Sequence, residues 1–530
     1  MIKVISYDIG TTGLKACLFE IDKQIKLVEG EYETYELYVL ENGGAEQDVE
    51  EWWSAMCNCT TRLLDKTGIK AEDIEGISFC SQMQGVVLVD EEGNAIRRAM
   101  SYMDQRGEKE MKEVQKHGVT VSGVNARKLQ KSIRYTSAAS TSAKDPIWKY
   151  KWVEKNEPDV FAKIYKWLDV KEYLICRMTG EFIMTPDSAY ATLLYDSRKG
   201  HEGFSKSLCK MYGIKYEHLP RVIECHEVAG TLREEQAREL GLVEGIKVYG
   251  SGGDATLIGV GAGATALGDT HIYCGTSGWV STVIDKQEVD IISMIAGIVG
   301  ATKGRFNYFA EMETAGKCFE WVKDHLALDE IDIYLSKMNV EDSPESEYIS
   351  LYDYLSDVID KVNPGSDGVI FTPWLHGNRC PFEDPHAQGI FFNIGINTGK
   401  SQMLRAVIEG ICFHLRWMLE CSEKKVTTSE KIRFVGGGAL SPVSCQILAD
   451  ILGREIITIE NTKDVGAVGA AMLVALGEGY ARELSDMSEF VATKKVYKPN
   501  LDNKKIYDKQ FVVFKQLYKS NAKNFKILNS

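Results

Sequence analysis

Two aspartates and three glycine-rich segments carry most of the chemistry legible in this sequence. Asp8 follows Val4-Ile5-Ser6-Tyr7 and opens the segment Asp8-Ile9-Gly10-Thr11-Thr12-Gly13, and Asp254 follows Gly252-Gly253 ahead of an uncharged stretch. Ile272-Tyr273-Cys274 leads into Gly275-Thr276-Ser277-Gly278, and Ile432–Val435 leads into Gly436-Gly437-Gly438-Ala439. Glycine allows tight turns and close backbone approach, so paired glycine hairpins facing a cleft would offer N–H groups to phosphate oxygens. The hydroxyls of Thr11, Thr12, Thr276 and Ser277 would add donors. Neither hairpin reads GxxxxGK[ST] or GxGxxG. A single such hairpin is most often just a turn, and a single aspartate beside it can be a cap; the pair with a third glycine run points towards nucleotide binding. Phosphoryl transfer also needs a clamp on the phosphates and a group that orients and deprotonates the attacking hydroxyl. Asp8 suits a magnesium-side role, direct or through water, since Mg²⁺ takes few protein carboxylates. Asp254 suits the base.

The elements that must position these residues follow from the pattern around them. Val4–Tyr7 and Leu14–Phe19 read as strands either side of the first glycine turn, and the segment from Ile272 to Ile284 repeats the arrangement, with Gly10 opposite Gly275 and Gly13 opposite Gly278. The matching flanks indicate a duplicated domain and place a boundary near residue 250. Val49–Leu64 is an amphipathic helix with Trp52, Trp53 and Met56, and Ile74–Cys80 returns to strand. Helical signals dominate residues 145–245. Asp145 caps and Pro146 starts one helix, and Phe161–Met178 reads as another, ended by Thr179-Gly180. Their aromatic side chains recur at helical spacing and read as core. In the last third, Met403–Met418 is a long helix, Ser441-Pro442 starts a helix ending at Gly453, and Val465–Leu476 is a small-residue helix suited to close packing in the second lobe near the nucleotide. Strands and helices mix throughout, an α/β pattern.

Composition narrows the classes further. The 530 residues can build more than one sizeable core. The 47 glycines, about 9% against a usual ~7%, fall in clusters. A formal charge of -14 does not favour nucleic acid or an anionic membrane as partner. Thirteen cysteines without a CxxC pair suit a reducing compartment. Met1 runs straight into strand character without a signal segment, and no apolar run reaches membrane-spanning length, so a cytoplasmic protein is expected. His201, His226, His271 and His414 lack metal-ligand spacing and read as surface or packing residues, and the Lys-rich stretch Lys519–Lys526 reads as an exposed amphipathic end.

Eight blocks in order give the chain a resemblance to the FGGY carbohydrate kinases, and within them most to the xylulokinase branch. The blocks are Asp8–Gly13, Glu46-Gln47-Asp48 ahead of Trp52-Trp53, Ser81-Gln82-Met83-Gln84-Gly85, and Asp104 with Arg106. They continue through Gly252-Gly253-Asp254, Gly275–Gly278, Gly377-Asn378-Arg379 before Asp384-Pro385, and Gly436–Ala439 with Ser441-Pro442. The resemblance implies two ribonuclease-H-like domains of the actin/hexokinase/glycerol-kinase type around a central cleft, each on a five-stranded mixed sheet. Residues 1–249 would form the N-terminal, sugar-side domain and 250–530 the C-terminal, ATP-side domain. Asp254 then matches the catalytic base, which also touches the substrate, and Asp8 the magnesium-side aspartate. Gly10, Thr11 and Thr12 match the first phosphate loop, Gly275, Thr276 and Ser277 the second, and Gly437, Gly438 and Ala439 the adenosine-side loop. Gln82, Met83, Gln84, Asp104 and Arg106 match positions around the sugar. ATP, Mg²⁺ and a small sugar or polyol are the implied ligands, and a homodimer would suit the resemblance.

Two positions depart from the branch. It usually reads Gln-Met-His-Gly where this chain has Gln82-Met83-Gln84-Gly85, and it usually carries Trp where this chain has Tyr102. Both lie where a polyol would be read, and an amide differs from an imidazole in reach and charge behaviour. The expected reaction is phosphorylation of a terminal hydroxyl of a small ketose, D-xylulose first. Ribulose, gluconate, erythritol and glycerol are alternative acceptors, and an ATP- or sugar-binding sensor is the non-catalytic alternative. Retention of both Asp8 and Asp254 argues against the sensor, which needs no base.

Overall fold

The computed structural model describes residues 1–116, 118–121, 124–326 and 351–530. Its centre is two twisted mixed sheets. The first takes β1 (Ile2–Ile9), β2 (Gly13–Ile21), β3 (Ile25–Thr34), then helix α1 (Val49–Thr67) and β4 (Ile74–Ser81). After the intervening helices α2 (Pro146–Asn156) and α3 (Val170–Thr179) come β5 (Val228–Thr231), β6 (Lys247–Tyr249) and the short β7 (Gly252–Gly253). The strand order is β5-β6-β4-β1-β2-β3, with β7 pairing β4.

Helix α4 (Asp254–Gly261) then leads into the second sheet. That sheet comprises β8 (Thr270–Cys274), β9 (Gly278–Ile284), β10 (Val289–Asp290), β11 (Ile295–Val299) and β12 (Phe306–Met312). Helix α5 (Lys400–Ser422) precedes β13 (Lys431–Val435), α6 (Pro442–Leu452), β14 (Glu455–Ile459), α7 (Val465–Gly477), β15 (Thr493–Tyr497) and α8 (Leu501–Asn529). The order is β10-β11-β12-β9-β8-β13-β14-β15. In both sheets a central strand is antiparallel to its hairpin partner and parallel to the next strand in (β1 with β2 and β4; β8 with β9 and β13). The expected five strands are present in each. The first sheet adds β5 and β7, and the second adds β10, β11 and β15, because short flanking segments still find unpaired edges to hydrogen-bond.

Apolar side chains settle in three main layers. One lies between the first sheet and α1 with α3, one between the second sheet and α5, α6 and α8, and one between the two sheets around α4 and α7. Helix α1 shows how the local code works. Asp48 caps it by accepting from the Glu50 amide, Trp52, Met56 and Leu63 turn inward, and Gly68 ends it in left-handed backbone. Helix α7 is buried almost all round, so it shows no polar face. Its small residues serve a crossing with α4: an ideal Cβ on Gly261 would lie 1.8 Å from the Val465 carbonyl oxygen, and one on Gly469 would lie 2.2 Å from that of Leu257. This helix therefore packs between the lobes, against α4 and the first sheet, and not only within the second lobe as expected.

Of the other expectations, some hold and some change. The segment Phe161–Met178 is broken: a helix Pro158–Phe161, a strand Lys166–Leu168 paired with Val87–Val89, and then α3, which Asp169 caps. Burial of Trp167 and Leu168 on that pairing overrides the helical spacing. Pro146 does open α2, but the Asp145 carboxylate accepts from the Ser140 hydroxyl and the Ser142 amide instead of capping it. Helix α4 stops at Gly261, and the stretch to Leu267 forms turns. The Lys-rich end belongs to α8, whose Phe514 and Phe525 are buried. His271 and His414 are buried packing residues, each bonded to a tryptophan N–H. No helix among the described residues is long and apolar enough to cross a membrane.

Candidate active site

The first hairpin is held by its carbonyls. The Gly10 amide donates to the Gly13 oxygen at 2.9 Å, the Tyr35 amide to Thr12 at 3.1 Å, and the Gln47 side-chain amide to Thr11 at 2.6 Å. The amides of Thr11 and Thr12 make no hydrogen bond among the described residues. The second hairpin follows the same logic. The Gly275 amide donates to Ser277 at 3.0 Å, and the carbonyls of Gly275 and Thr276 accept from Gly316 (2.7 Å) and Ala315 (3.0 Å) at the start of the helix Gly316–His325. The amides of Thr276 and Ser277 are again unused among the described residues. With its carbonyls tied back, each turn leaves N–H groups for an anion.

Asp8 is the penultimate residue of β1, opposite Lys15 on β2. Its carboxylate faces the N-terminus of α7, where an ideal Cβ on Gly466 would lie 2.9 Å from Oδ2. Burial raises the Asp8 pKa and the Lys15 charge opposes the rise. Lys15 also ties this hairpin to α7: its Nζ lies 2.8 Å from Asp464 Oδ1 and donates to the Lys463 carbonyl at 2.9 Å.

Asp254 is the first residue of α4, and its Oδ1 accepts from the Ala255 amide at 2.7 Å. Burial pushes its pKa up to about 7; the Ala255 hydrogen bond opposes this, and the charges of Asp8, Glu311 and Asp187 add to it. Behind it, Asp187 Oδ2 accepts from the Gly253 amide at 2.7 Å while Oδ1 accepts from the Thr185 hydroxyl at 2.6 Å. Lys171, ion-paired with Glu172, donates to Thr185 and Ser188, and the whole set is buried. The backbone entering Asp254 is thus held by a fully buried polar network.

At the positions expected to face the sugar, Gln82 donates to Gln47, and the buried Gln82 Oε1 has no partner among the described residues. Met83 packs over Gly253. Gln84 has left-handed backbone (φ 64°), pinned by its amide donating to Asp169 Oδ2 and its carbonyl accepting from Lys149. Its side chain makes no hydrogen bond among the described residues. Asp104 and Arg106 stand apart from this group. The Asp104 carboxylate is fully buried, accepts from the Ala45 amide and Arg106, and Arg106 also pairs with Glu46 and lies over the Trp152 ring. Tyr102, in contrast, is exposed and accepts from Thr11 Oγ1 at 3.4 Å.

The third glycine run forms a turn, Gly437–Leu440, after β13. Gly436 has φ 90°, and an ideal Cβ there would sit 2.7 Å from the Cys274 oxygen, so only glycine fits. One on Gly438 would meet Cys274 Sγ at 2.8 Å, and the Ala439 side chain is buried. The turn therefore presents backbone to the cleft beside the second hairpin.

Residues 3–261 match the model of the N-terminal domain of the FGGY family of carbohydrate kinases, and residues 271–478 match that of the C-terminal domain. The chain belongs to the FGGY carbohydrate kinases. As a member it is an ATP-dependent phosphotransferase acting on a hydroxyl of a small sugar or polyol. Among similar proteins, a xylulose kinase of Bacillus subtilis (strain 168) is 27% identical over 508 residues, covering 95% of this chain and 94% of the relative. A gluconokinase of the same organism is 26% identical over 508 residues, with 95% and 93% covered. The crystal structure of a ligand-bound xylulose kinase from Lactobacillus acidophilus superposes with a TM-score of 0.85 at 25% identity over 100% of both chains.

This FGGY kinase fits the two groups its family implies. The unused amides of Thr11, Thr12, Thr276 and Ser277 form a donor set of the kind an ATP phosphate tail requires. Asp8 and Asp254 are two half-buried carboxylates, and the Asp8 charge raises the Asp254 pKa, a repulsion that a divalent cation would relieve. Asp187, Lys15 and Asp464 do not stand out in the sequence. Asp187 follows Thr185-Pro186 at a helix start and Asp464 precedes α7, so both read as ordinary helix-start residues until the tertiary structure shows what they hold.

Proposed function

We propose that the chain transfers the γ-phosphoryl group of ATP to a terminal hydroxyl of a small ketose, D-xylulose giving D-xylulose 5-phosphate. Residues 1–249 form the sugar side and residues 250–530 the ATP side on this reading. Asp254 carries it: a carboxylate held near pKa 7 at the base of the cleft, beside two hairpins with unused amides. Asp254 orients the acceptor hydroxyl and takes its proton as the O–P bond forms. The unused amides of Thr11, Thr12, Thr276 and Ser277, joined by the hydroxyls of these residues, hold the developing charge on the phosphoryl oxygens. Gly10 and Gly275 keep the two turns tight enough to do so, while Gly437, Gly438 and Ala439 line the adenosine side. Asp8 holds Mg²⁺, directly or through water, and the ion when bound neutralises phosphate charge. Gln82, Met83, Gln84 and Tyr102 face the acceptor, while Asp104 and Arg106 brace that wall from behind.

The charge distribution favours a neutral acceptor over an aldonate. Arg106 is committed to Asp104 and Glu46, and Lys149 donates to the carbonyls of Gln84 and Ser101, so the nearby cations are already engaged. The test is kcat/KM across D-xylulose, D-ribulose, D-gluconate, erythritol and glycerol. D-xylulose is expected to lead, and gluconate to trail it by at least about tenfold, the cost of an unmatched charge. A lead by gluconate would overturn the ketose assignment, and binding without turnover of any of them would overturn the kinase reading.

A further inference from the structure

Asp8 and Tyr273 occupy equivalent places in the two sheets. Each is two residues before the first glycine of its hairpin, on the central strand of its sheet, Asp8 before Gly10 and Tyr273 before Gly275. Tyr273 packs against the layer between the lobes, its ring stacked on Trp279 with centroids 4.1 Å apart. The Trp279 N–H donates to His271 Nε2 at 3.0 Å, which fixes the stack from behind. The far edge of the ring lies against Gly436, where an ideal Cβ would be 3.0 Å from Cδ2. The phenol oxygen then reaches over the second hairpin: an ideal Cβ on Gly275 would fall 2.2 Å from it. Among the described residues this hydroxyl has no hydrogen-bond partner, and Tyr273 is only partly buried. Burial raises its pKa, and the charges of Asp254 and Asp8 raise it further, so it stays protonated at neutral pH and is a donor.

We propose that Tyr273 is a catalytic residue of the phosphoryl transfer, its hydroxyl donating a hydrogen bond to an oxygen of the transferring phosphoryl group above the second hairpin. This rests on the kinase reading. In the step the acceptor oxygen bonds to Pγ while the bond from Pγ to the bridging oxygen breaks, its electrons leaving with ADP. The acceptor proton goes to Asp254, and Tyr273 keeps its own. Its donor counts most when charge spreads over the equatorial oxygens, so its effect falls on the transition state more than on bound ATP.

The test is Tyr273→Phe, which keeps the ring on Trp279 and removes only the hydroxyl. Expected are a fall in kcat of about 10²-fold with the KM for ATP little changed, and an equal loss of affinity for ADP with aluminium fluoride, while ADP alone binds within about twofold of wild type. Unchanged kcat and unchanged aluminium fluoride affinity in Y273F, beside a wild type that turns over, would overturn this assignment and leave the kinase reading standing. An equal loss for ADP alone would overturn it too, because the ring would then only shape the nucleotide pocket. A wild type with no turnover and no binding of the fluoride complex would overturn both.

Discussion

The two lobes share one strand plan and differ in what stands on it. On the central hairpin of the first sheet the facing pair is Asp8 and Lys15, and on that of the second it is Tyr273 and Trp279. After the parallel neighbour strand, the first sheet turns through Gln82-Met83-Gln84-Gly85 and the second through Gly436-Gly437-Gly438-Ala439. One loop carries long polar side chains and the other almost none. On the proposed reading this follows from what each must hold. A polyol is recognised hydroxyl by hydroxyl, which takes side-chain donors and acceptors of set reach. A phosphate tail and a flat base need close approach and backbone amides, which side chains would obstruct. The lobes are also not independent. Lys15 of the first reaches Asp464 at the start of α7, and α7 crosses α4 on glycines, so the charged hairpin is tied to the helix layer between the sheets.

The largest expected effect breaks the base. Asp254→Ala lowers kcat by about 10²–10⁴-fold in steady-state assays while ADP affinity, measured by calorimetry, stays close to wild type. Near-normal turnover would remove Asp254 from that role. Next comes the asymmetry between the hairpins. Gly275→Ala drives a methyl into the Tyr273 hydroxyl and is expected to cost about 10–100-fold in kcat/KM for ATP. Gly10→Ala, whose Cβ would lie 3.1 Å from the Gly13 oxygen, costs less than about fivefold. Equal losses would erase the distinction.

The tie between the lobes comes third. Lys15→Met and Asp464→Asn should each cost about 1–2 kcal/mol by denaturant unfolding, and a double-mutant cycle should return a coupling of about 0.5–2 kcal/mol. Additive losses would show the pair to be incidental. The smallest effect concerns pH. The base must be ionised, so activity rises as pH climbs through about 7, the Asp254 pKa. The Asp187 charge helps hold that value up, so Asp187→Asn should move the acid limb of kcat/KM to lower pH by about half a pH unit. A limb that stays put, or moves to higher pH, would restrict Asp187 to holding the Gly253 amide.

Much of this was legible in the linear sequence, and the reasons differ by feature. The hairpins, Asp8 and Asp254 showed because glycine and aspartate at strand ends are local signals, and the repeat of strand, turn and strand exposed the duplication. Ser441-Pro442 and Gly453 marked α6 because caps act within a few residues. The break at Lys166–Leu168 was hidden, since a buried segment loses the polar face that separates strand from helix. The extra edge strands were hidden as well, because they are two to five residues long and exist only where a neighbour offers an edge.

Local chemistry along the chain therefore determined the family, the two-lobe plan and the candidates for the phosphate loops and base. Tertiary structure alone decided that Asp104 and Arg106 pair with one another, that α7 packs between the lobes, and that Tyr273 brings its hydroxyl to the second hairpin. Each of those outcomes depends on partners far away in sequence, such as Glu46 for Arg106, Leu257 for Gly469 and Gly436 for Tyr273. No pattern of neighbours records such pairings. Desolvation and close approach exist only once the chain has brought the partners together.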